Sequence, residues 1–475
     1  GDRLYGQVGS SLVGLDLPAK DDKPRVVWQH DLKAPPLSLA AADGKLFAAT
    51  ADAIYCFAGE KAPPRTWELK TAPPARHDDD WSRRCGEYLR AAKTNEGYAL
   101  VLGLENGRLV EELLARSDMR VIALDADAAK VRALHERMIA TGLYGNRVEV
   151  FAGEPGTFHL PAYLAHLIVS ERDALDEPAR KKLHNVLRPY GGTLCWSQGG
   201  KLTTVRRDGP LEGSAVWTHE CAGPDRTFYS SDKLVRSPLG ILWYGQGGEN
   251  EFFSNNDYGI GVKPQVIGGR VFAFSLPMKT LFAYDAFTGR HLWKLKVDPF
   301  TRFASMEDGV YVASADTVTV LDHATGQPLR TLRHEAAGGD ERKPVVSDIR
   351  VGGDTIVVAI DFRKKPRMIE KGLWDSTVLV AMDRKSGRTL WTKTAKHRFN
   401  NNALALGRGM VFAIDSPSPT LSETIKTPKD APKTAESTIL AMDLRTGSVN
   451  WSAAVENTFR VYDVGGWTAD RKSVV

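Results

Sequence analysis

The sequence predicts a mainly β chain: a seven- or eight-bladed β-propeller carrying one inserted α/β domain of the doubly wound type. Three observations carry this reading. The first is a recurring turn. Ala283-Tyr-Asp-Ala-Phe-Thr-Gly-Arg-His-Leu-Trp293 returns as Ala381-Met-Asp-Arg-Lys-Ser-Gly-Arg-Thr-Leu-Trp391 and as Ala441-Met-Asp-Leu-Arg-Thr-Gly-Ser-Val-Asn-Trp451. In each copy an Asp ends an apolar run, Thr or Ser follows three residues later, Gly four later and Trp eight later. The Asp carboxylate can close a turn on its own backbone, and Gly supplies a positive φ. The second observation is a series of short strand-like runs at close spacing with Gly, Asp and Pro between them, which suits a sandwich, barrel or propeller. A repeated Trp-bearing turn selects the propeller among these. The third is a switch between residues 76 and 210 to alternating β and α periods, the signature of a parallel sheet.

Taken in order, residues 1–75 hold the first blades. Strands are expected at Arg3–Gly9, Ser11–Asp16, Arg25–His30, Lys45–Thr50, Ala53–Ala58 and Thr66–Leu69, with Trp28 and Trp67 as blade marks. The run His77-Asp78-Asp79-Asp80 offers helix N-caps for a helix over Trp81–Lys93. Strands at Tyr98–Leu104, Arg120–Asp125, Val148–Ala152, Ala165–Ser170, Gly192–Ser197 and Lys201–Arg206 then alternate with helices at Gly107–Arg116, Ala128–Thr141 and Pro178–Leu187. Propeller character resumes over residues 211–475. Trp217, Trp293, Trp391 and Trp451 mark outer strands, and Arg330 stands at the Trp position of the turn Asp322-His-Ala-Thr-Gly326. Leu239–Gly245 is an optional extra strand. Phe459–Trp467 is expected to complete the N-terminal blade and close the ring without free edges. Ser416–Ser437 and Phe362–Trp374 read as exposed loops.

The strongest functional signal lies in the insert. Leu100-Val-Leu-Gly-Leu-Glu-Asn-Gly-Arg-Leu109 ends a strand and opens a helix, so a ligand can approach the backbone near the positive helix end. Asp125 closes the next strand 22 residues beyond Gly103, where a carboxylate suits ribose hydroxyls. Glu154 follows the third strand as an adenine-edge contact. All three fall at the carboxyl ends of adjacent strands, where such sheets bind ligands.

Residues 78–206 resemble the class I S-adenosylmethionine-dependent methyltransferases. The likeness rests on the glycine turn, Asp125, the strand Ala165-His-Leu-Ile-Val-Ser-Glu171 and the turn Leu187-Arg-Pro-Tyr-Gly-Gly192. It implies that Gly103, Glu105 and Gly107 occupy the GxGxG positions, that Asp125 holds the ribose, and that Glu154 is the adenine-side acid. Glu105 replaces the central glycine, and Val101 stands where the family carries an acid before the turn. The Trp-turn repeat is similar to the pyrroloquinoline-quinone-like propellers, which include quinoprotein alcohol dehydrogenases and the assembly factor BamB. The combination resembles planctomycete multidomain proteins.

Composition narrows the remaining classes. With 475 residues, 42% hydrophobic and 25% charged, the chain reads as soluble, globular and large enough for two or three domains. A net charge of +5 with scattered Lys and Arg argues against a nucleic-acid partner, and no apolar run reaches membrane-span length. Residue 1 is Gly, which fits a processed or trimmed chain. Propellers of this type imply an extracytoplasmic, periplasmic location. Cys56, Cys85, Cys195 and Cys221 lack metal or haem spacing; free thiols and a disulfide both remain open. The quinoprotein resemblance implies an adjacent Cys-Cys pair that the sequence lacks, and Asn255-Asn256-Asp257 and Asn400-Asn401-Asn402 read as turns, so pyrroloquinoline quinone is not expected. No metal site is read, and no catalytic residue is assigned. Three function classes stand: a non-catalytic scaffold binding protein partners through a propeller face or the insert, a methyltransferase using S-adenosylmethionine, and a quinone-dependent oxidoreductase.

Overall fold

Each repeat turn is built by one carboxylate. Asp285 Oδ1 accepts from the Phe287 and Thr288 N–H groups and from Thr288 Oγ1, each at 3.0 Å. Asp322, Asp383 and Asp443 do the same with Thr325, Ser386 and Thr446. The glycine four residues on returns its N–H to the Asp carbonyl in every copy, with φ between +67° and +74°. Two residues before each of these Asp residues the strand register shifts by a bulge, and the same shift precedes Asp16. The bulge bends the strand so that the Asp leaves the ladder and the turn closes. The repeat is therefore a backbone device first.

A computed structural model describes residues 3–17, 25–59, 63–68, 70–154, 157–172, 177–243, 263–298, 301–334, 343–363, 375–416 and 436–456. The chain divides into two compact units, Gly1–Lys70 and Thr71–Val475.

In the first unit, β1 (Arg3–Val8), β2 (Ser11–Asp16) and β3 (Val26–Asp31) form one antiparallel sheet. A second sheet holds β4 (Ser38–Ala42), β5 (Lys45–Ala49) and β6 (Ile54–Ala58). Leu12, Leu32, Leu46 and Ala48 fill the space between them, and Trp28 meets Phe57 edge-on at 5.2 Å. The strand expected at Thr66–Leu69 does not form over its described residues, and Trp67 is 82% exposed. Pro63, Pro64, Pro73 and Pro74 flank this stretch and remove ladder donors on both sides. The strand that does form, β4, is Ala-rich and gave no alternation to read.

The second unit opens with α1 (Asp80–Ala92), capped by Asp79, whose carboxylate accepts the Ser82 N–H at 2.9 Å. Then follow β7 (Glu96–Leu102), α2 (Arg108–Arg116), β8 (Asp118–Asp125), α3 (Ala128–Thr141), β9 (Val148–Ala152), β10 (Leu167–Ser170), α4 (Glu177–Leu183), β11 (Gly192–Gln198) and β12 (Lys201–Arg207). The six strands lie in the order β12-β11-β10-β7-β8-β9, parallel except for β12. Both faces are covered. Ala99 and Val101 point to the core shared with α1, α2 and α3, whereas Leu100 and Leu102 point to one shared with Leu183, Val186 and Leu187.

Antiparallel sheets fill the rest of the unit. One comprises β13 (Gln265–Ile267), β14 (Arg270–Ser275), β15 (Thr280–Asp285) and β16 (His291–Lys296). The next comprises β17 (Arg302–Met306), β18 (Gly309–Ser314), β19 (Thr317–Leu321) and β20 (Pro328–Arg333). An eight-stranded sheet joins β21 (Lys343–Gly352), β22 (Thr355–Arg363), β23 (Asp375–Asp383) and β24 (Thr389–Asn400) to β25 (Ala405–Gly407), β26 (Met410–Ser416), β27 (Glu436–Asp443) and β28 (Val449–Glu456). It is two four-stranded meanders fused where Arg398 and Phe399 pair with Ser416 and Asp415.

The tryptophans link consecutive sheets. Trp293 lies over Gly326 of the next turn and donates Nε1–H to the His323 carbonyl at 2.9 Å; Trp391 lies over Gly447 and donates to Leu444 at 3.0 Å. Trp217 does not serve this way: it makes an isolated bridge to Val266 and bonds Glu220. Trp243 takes the role, over Gly289 with Nε1–H donated to Ala286 at 2.8 Å. Where Arg330 replaces Trp, Leu332 covers Gly387, and Arg330 turns to Asp308 and Tyr311 instead. Trp293→Phe keeps the ring over Gly326 and removes one hydrogen bond, so urea unfolding should register a loss of about 1 kcal/mol. The extra strand expected at Leu239–Gly245 does not form over its described residues, Leu239–Trp243; Phe459–Trp467 and Asn255-Asn256-Asp257 lie outside the described residues.

Candidate functional site

The site is the rim formed by the carboxyl ends of β7, β8, β9 and β10. Gly103 follows β7 with φ +71°, and Gly107 caps α2 with φ +79°. Between them the chain curls so that successive N–H groups point inward, a concavity that favours an anion. That concavity is occupied by the chain itself. Glu171, immediately after β10 and 1% exposed, accepts on Oε2 from Glu105, Asn106 and Gly107 N–H at 2.7, 3.0 and 2.9 Å. Its Oε1 accepts from Leu109 N–H in the first turn of α2 at 2.8 Å. One carboxylate thus satisfies four backbone donors at the positive end of a helix.

Asp125 is engaged just as fully. It is completely buried; Oδ2 accepts from Leu104 N–H at 2.5 Å and from Arg172 Nη2 at 2.7 Å, and Oδ1 from Asp127 N–H at 2.7 Å. The Arg172 side chain crosses the glycine turn closely enough that a Cβ on Gly103 would sit 2.9 Å from its Cδ. A Cβ on Gly107 would meet Leu134 and Arg137, so this glycine serves packing of α2 against α3. The Glu105 side chain is exposed, and its part in the site is its N–H. Glu154 is exposed after β9, and its carbonyl accepts from Thr157 and Phe158 N–H.

The structure therefore gathers Gly103, Glu105, Gly107 and Asp125, with Glu154 at the neighbouring strand end. It adds Glu171 and Arg172, which sequence reasoning missed as site residues. A Ser-Glu-Arg run closing a fully apolar strand was the available signal. What it lacked was the pairing of β10 with β7, which sets Ser170 beside Leu102.

A second polar centre joins the α/β layer to the β13–β16 sheet. Arg188, from the Leu187–Gly192 turn, donates Nε–H to Asp285 Oδ2 at 2.6 Å and Nη2–H to the Gly269 carbonyl at 3.1 Å, both buried. His166 Nε2 lies 3.8 Å from the same Oδ2. Burial opposes ionisation of Asp285, but His166 and the Arg188 guanidinium outweigh it and hold the carboxyl well below the usual range. Burial pushes His166 down against the pull of Asp285. Tyr163 and Tyr190 pack around Phe287 beside this pair, and Arg290 bonds Glu96 across the same seam. Gly192 is required here: a Cβ would come within 2.6 Å of the Arg188 backbone.

The Asn400–Asn402 amides act within the fold. Asn400 caps the short 3-10 turn over Asn401–Ala403, Asn401 accepts from Ser376 Oγ at 2.9 Å, and Asn402 accepts from Arg226 at 2.8 Å. All four cysteines are free, with Cys56 exposed and the others buried; burial pushes the Cys85 and Cys195 thiols up to about 12. Among the described residues no helix is long and apolar enough to cross a membrane.

No protein-family model and no curated protein matches the chain. Solved structures do, at low similarity. A candidate S-adenosyl-L-methionine-dependent methyltransferase from Methanococcus maripaludis aligns at 17% identity over 26% of this chain and 57% of its own, with a TM-score of 0.23. A europium-containing methanol dehydrogenase aligns at 12% identity over 50% of this chain and 48% of its own, TM-score 0.33. The hydrazine synthase of Kuenenia stuttgartiensis aligns at 14% over 41% and 49%, TM-score 0.28. The chain spans about half the length of these structures.

Proposed function

We propose that this protein is a non-catalytic binding or scaffold protein: a quinoprotein-like propeller whose methyltransferase-like α/β insert has its ligand cleft filled by the chain itself. The carrying observation is Glu171. Its carboxylate takes the four N–H groups that an incoming ligand would need, while Arg172 takes the Asp125 oxygen suited to a ribose hydroxyl. A ligand entering there would leave a carboxylate and a guanidinium to find new partners, and nothing in the turn provides them. Arg188 and Asp285 fix the α/β layer to the neighbouring sheet, which suits a rigid display surface for a protein partner. The same reading expects an extracytoplasmic location, where S-adenosylmethionine is not supplied.

Calorimetric titration with S-adenosylmethionine and S-adenosylhomocysteine tests it. No heat is expected up to high micromolar ligand. Saturable heat would overturn the reading in favour of a methyltransferase, the second reading, which the parallel strand order and the Gly103–Asp125 juxtaposition favour.

A further inference from the structure

Among the described residues, the cluster beside β17 and β21 carries more positive charge than its carboxylates balance. Arg350 is completely buried. Its Nη2 donates to Asp348 Oδ2 at 2.8 Å, yet its Nε and Nη1 donate to nothing among the described residues. Arg226 stands 3.7 Å from the same Asp348 oxygen and 3.9 Å from Glu220, and Lys263 also bonds Glu220. Arg302 reaches the Ser347 carbonyl at 3.1 Å and interacts electrostatically with both Glu220 and Asp348. Four cations thus share two carboxylates among the described residues.

The one histidine in this cluster does not add to the charge. His219 Nε2 accepts from Val351 N–H at 3.0 Å and its Nδ1 meets Thr218 Oγ1 at 2.8 Å, so the neutral ring is fully used. Burial, with Arg350 close by, pushes it down to about 3. Burial also pushes the Asp348 carboxyl up against the pull of Arg350 and Arg226, which weakens the counter-charge further. The segment Thr218–His219 gathers the surroundings: the Thr218 carbonyl accepts from Ser305 N–H on β17 at 2.8 Å, while His219 holds Val351 on β21. Ser305 Oγ is also buried without a hydrogen-bond partner among the described residues. A buried guanidinium with open donors, among cations that outnumber the carboxylates of the described residues, is an unfilled demand for an acceptor with negative charge.

We propose that this cluster is an anion-binding site, taking a small oxyanion or the carboxylate of a small acid on the open donors of Arg350. The site is independent of the α/β cleft, so its test says nothing for or against the scaffold reading. The intact chain, in low-salt buffer, is titrated with sulfate, phosphate, acetate and succinate against chloride, following the thermal midpoint and calorimetric heat. A saturable rise of several degrees is expected with at least one of the four. Preference for sulfate or phosphate over acetate or succinate identifies an inorganic oxyanion; the reverse order identifies a carboxylate. Arg350→Met should weaken that anion's affinity at least tenfold, whereas Arg333→Met, at an exposed arginine, should leave it unchanged. Asp348→Asn keeps the guanidinium and removes a competing carboxylate, so it should tighten binding; it serves if Arg350→Met does not fold. Stabilisation that never saturates and is equal in wild type and Arg350→Met is general salt exclusion and overturns the proposal. Weaker or unchanged binding in Asp348→Asn overturns it as well.

Discussion

Glu171→Ala lowers stability by about 3–5 kcal/mol, measured by urea unfolding. What remains is four backbone N–H groups without their acceptor, two of them buried and two part-buried, each worth about 1–3 kcal/mol if unsatisfied and less where water enters. Glu171→Gln separates charge from geometry. The amide oxygen can still accept from part of the turn, but the amide nitrogen is a donor facing donors, and the charge that complements the α2 N-terminus is gone. It should lie between wild type and Ala. A near-neutral Glu171→Ala would mean that the turn holds itself, and the self-filled cleft would lose its energetic basis. Arg172, whose side chain is about half exposed, is expected to contribute much less than Glu171.

Arg188→Ala removes one half of the buried pair that ties the α/β layer to the β13–β16 sheet, at a cost of about 3–5 kcal/mol in the same measurement. The loss arises because Asp285 Oδ2 stays buried and charged after losing the Arg188 Nε–H donor at 2.6 Å, with His166 Nε2 3.8 Å away. Asp285→Ala costs more than the same change at Asp443. Both carboxylates close a repeat turn through Oδ1, but only Asp285 also uses Oδ2 as an anchor. The difference between the two variants isolates the anchor from the turn. Equal losses at Asp285 and Asp443 would show that the seam contributes nothing. In the double variant Arg188→Met with Asp285→Asn, much of the penalty should return, since no unpaired charge is left behind.

Much of the architecture was readable from local chemistry. Ser11–Asp16, Ala128–Thr141 and Val148–Ala152 form over the residues their patterns predict, because alternation, helix periodicity and capping are properties of neighbouring residues. The repeat turns were equally plain, since Asp, Thr or Ser, and Gly complete each turn without outside help. Errors came where burial depended on distant chain. Trp67 carries the same residue type as a blade mark but has nothing to cover it, and Trp217 yields to Trp243 over Gly289. Leu332 replaces a missing tryptophan two residues away from where the pattern looks.

By itself, the sequence determined the repeat, the α/β interruption and the glycine turn with its downstream Asp125. These rest on spacings within about one element and its neighbour. Only the tertiary structure decided what fills that turn. Pairing β10 with β7 brings Glu171 to the N–H groups of Glu105, Asn106, Gly107 and Leu109, and the same fold brings Arg188 to Asp285 across 97 positions. Charges so far apart in sequence carry no pattern that a linear reading can detect; their meaning is set by which strand edges and turns the core brings together.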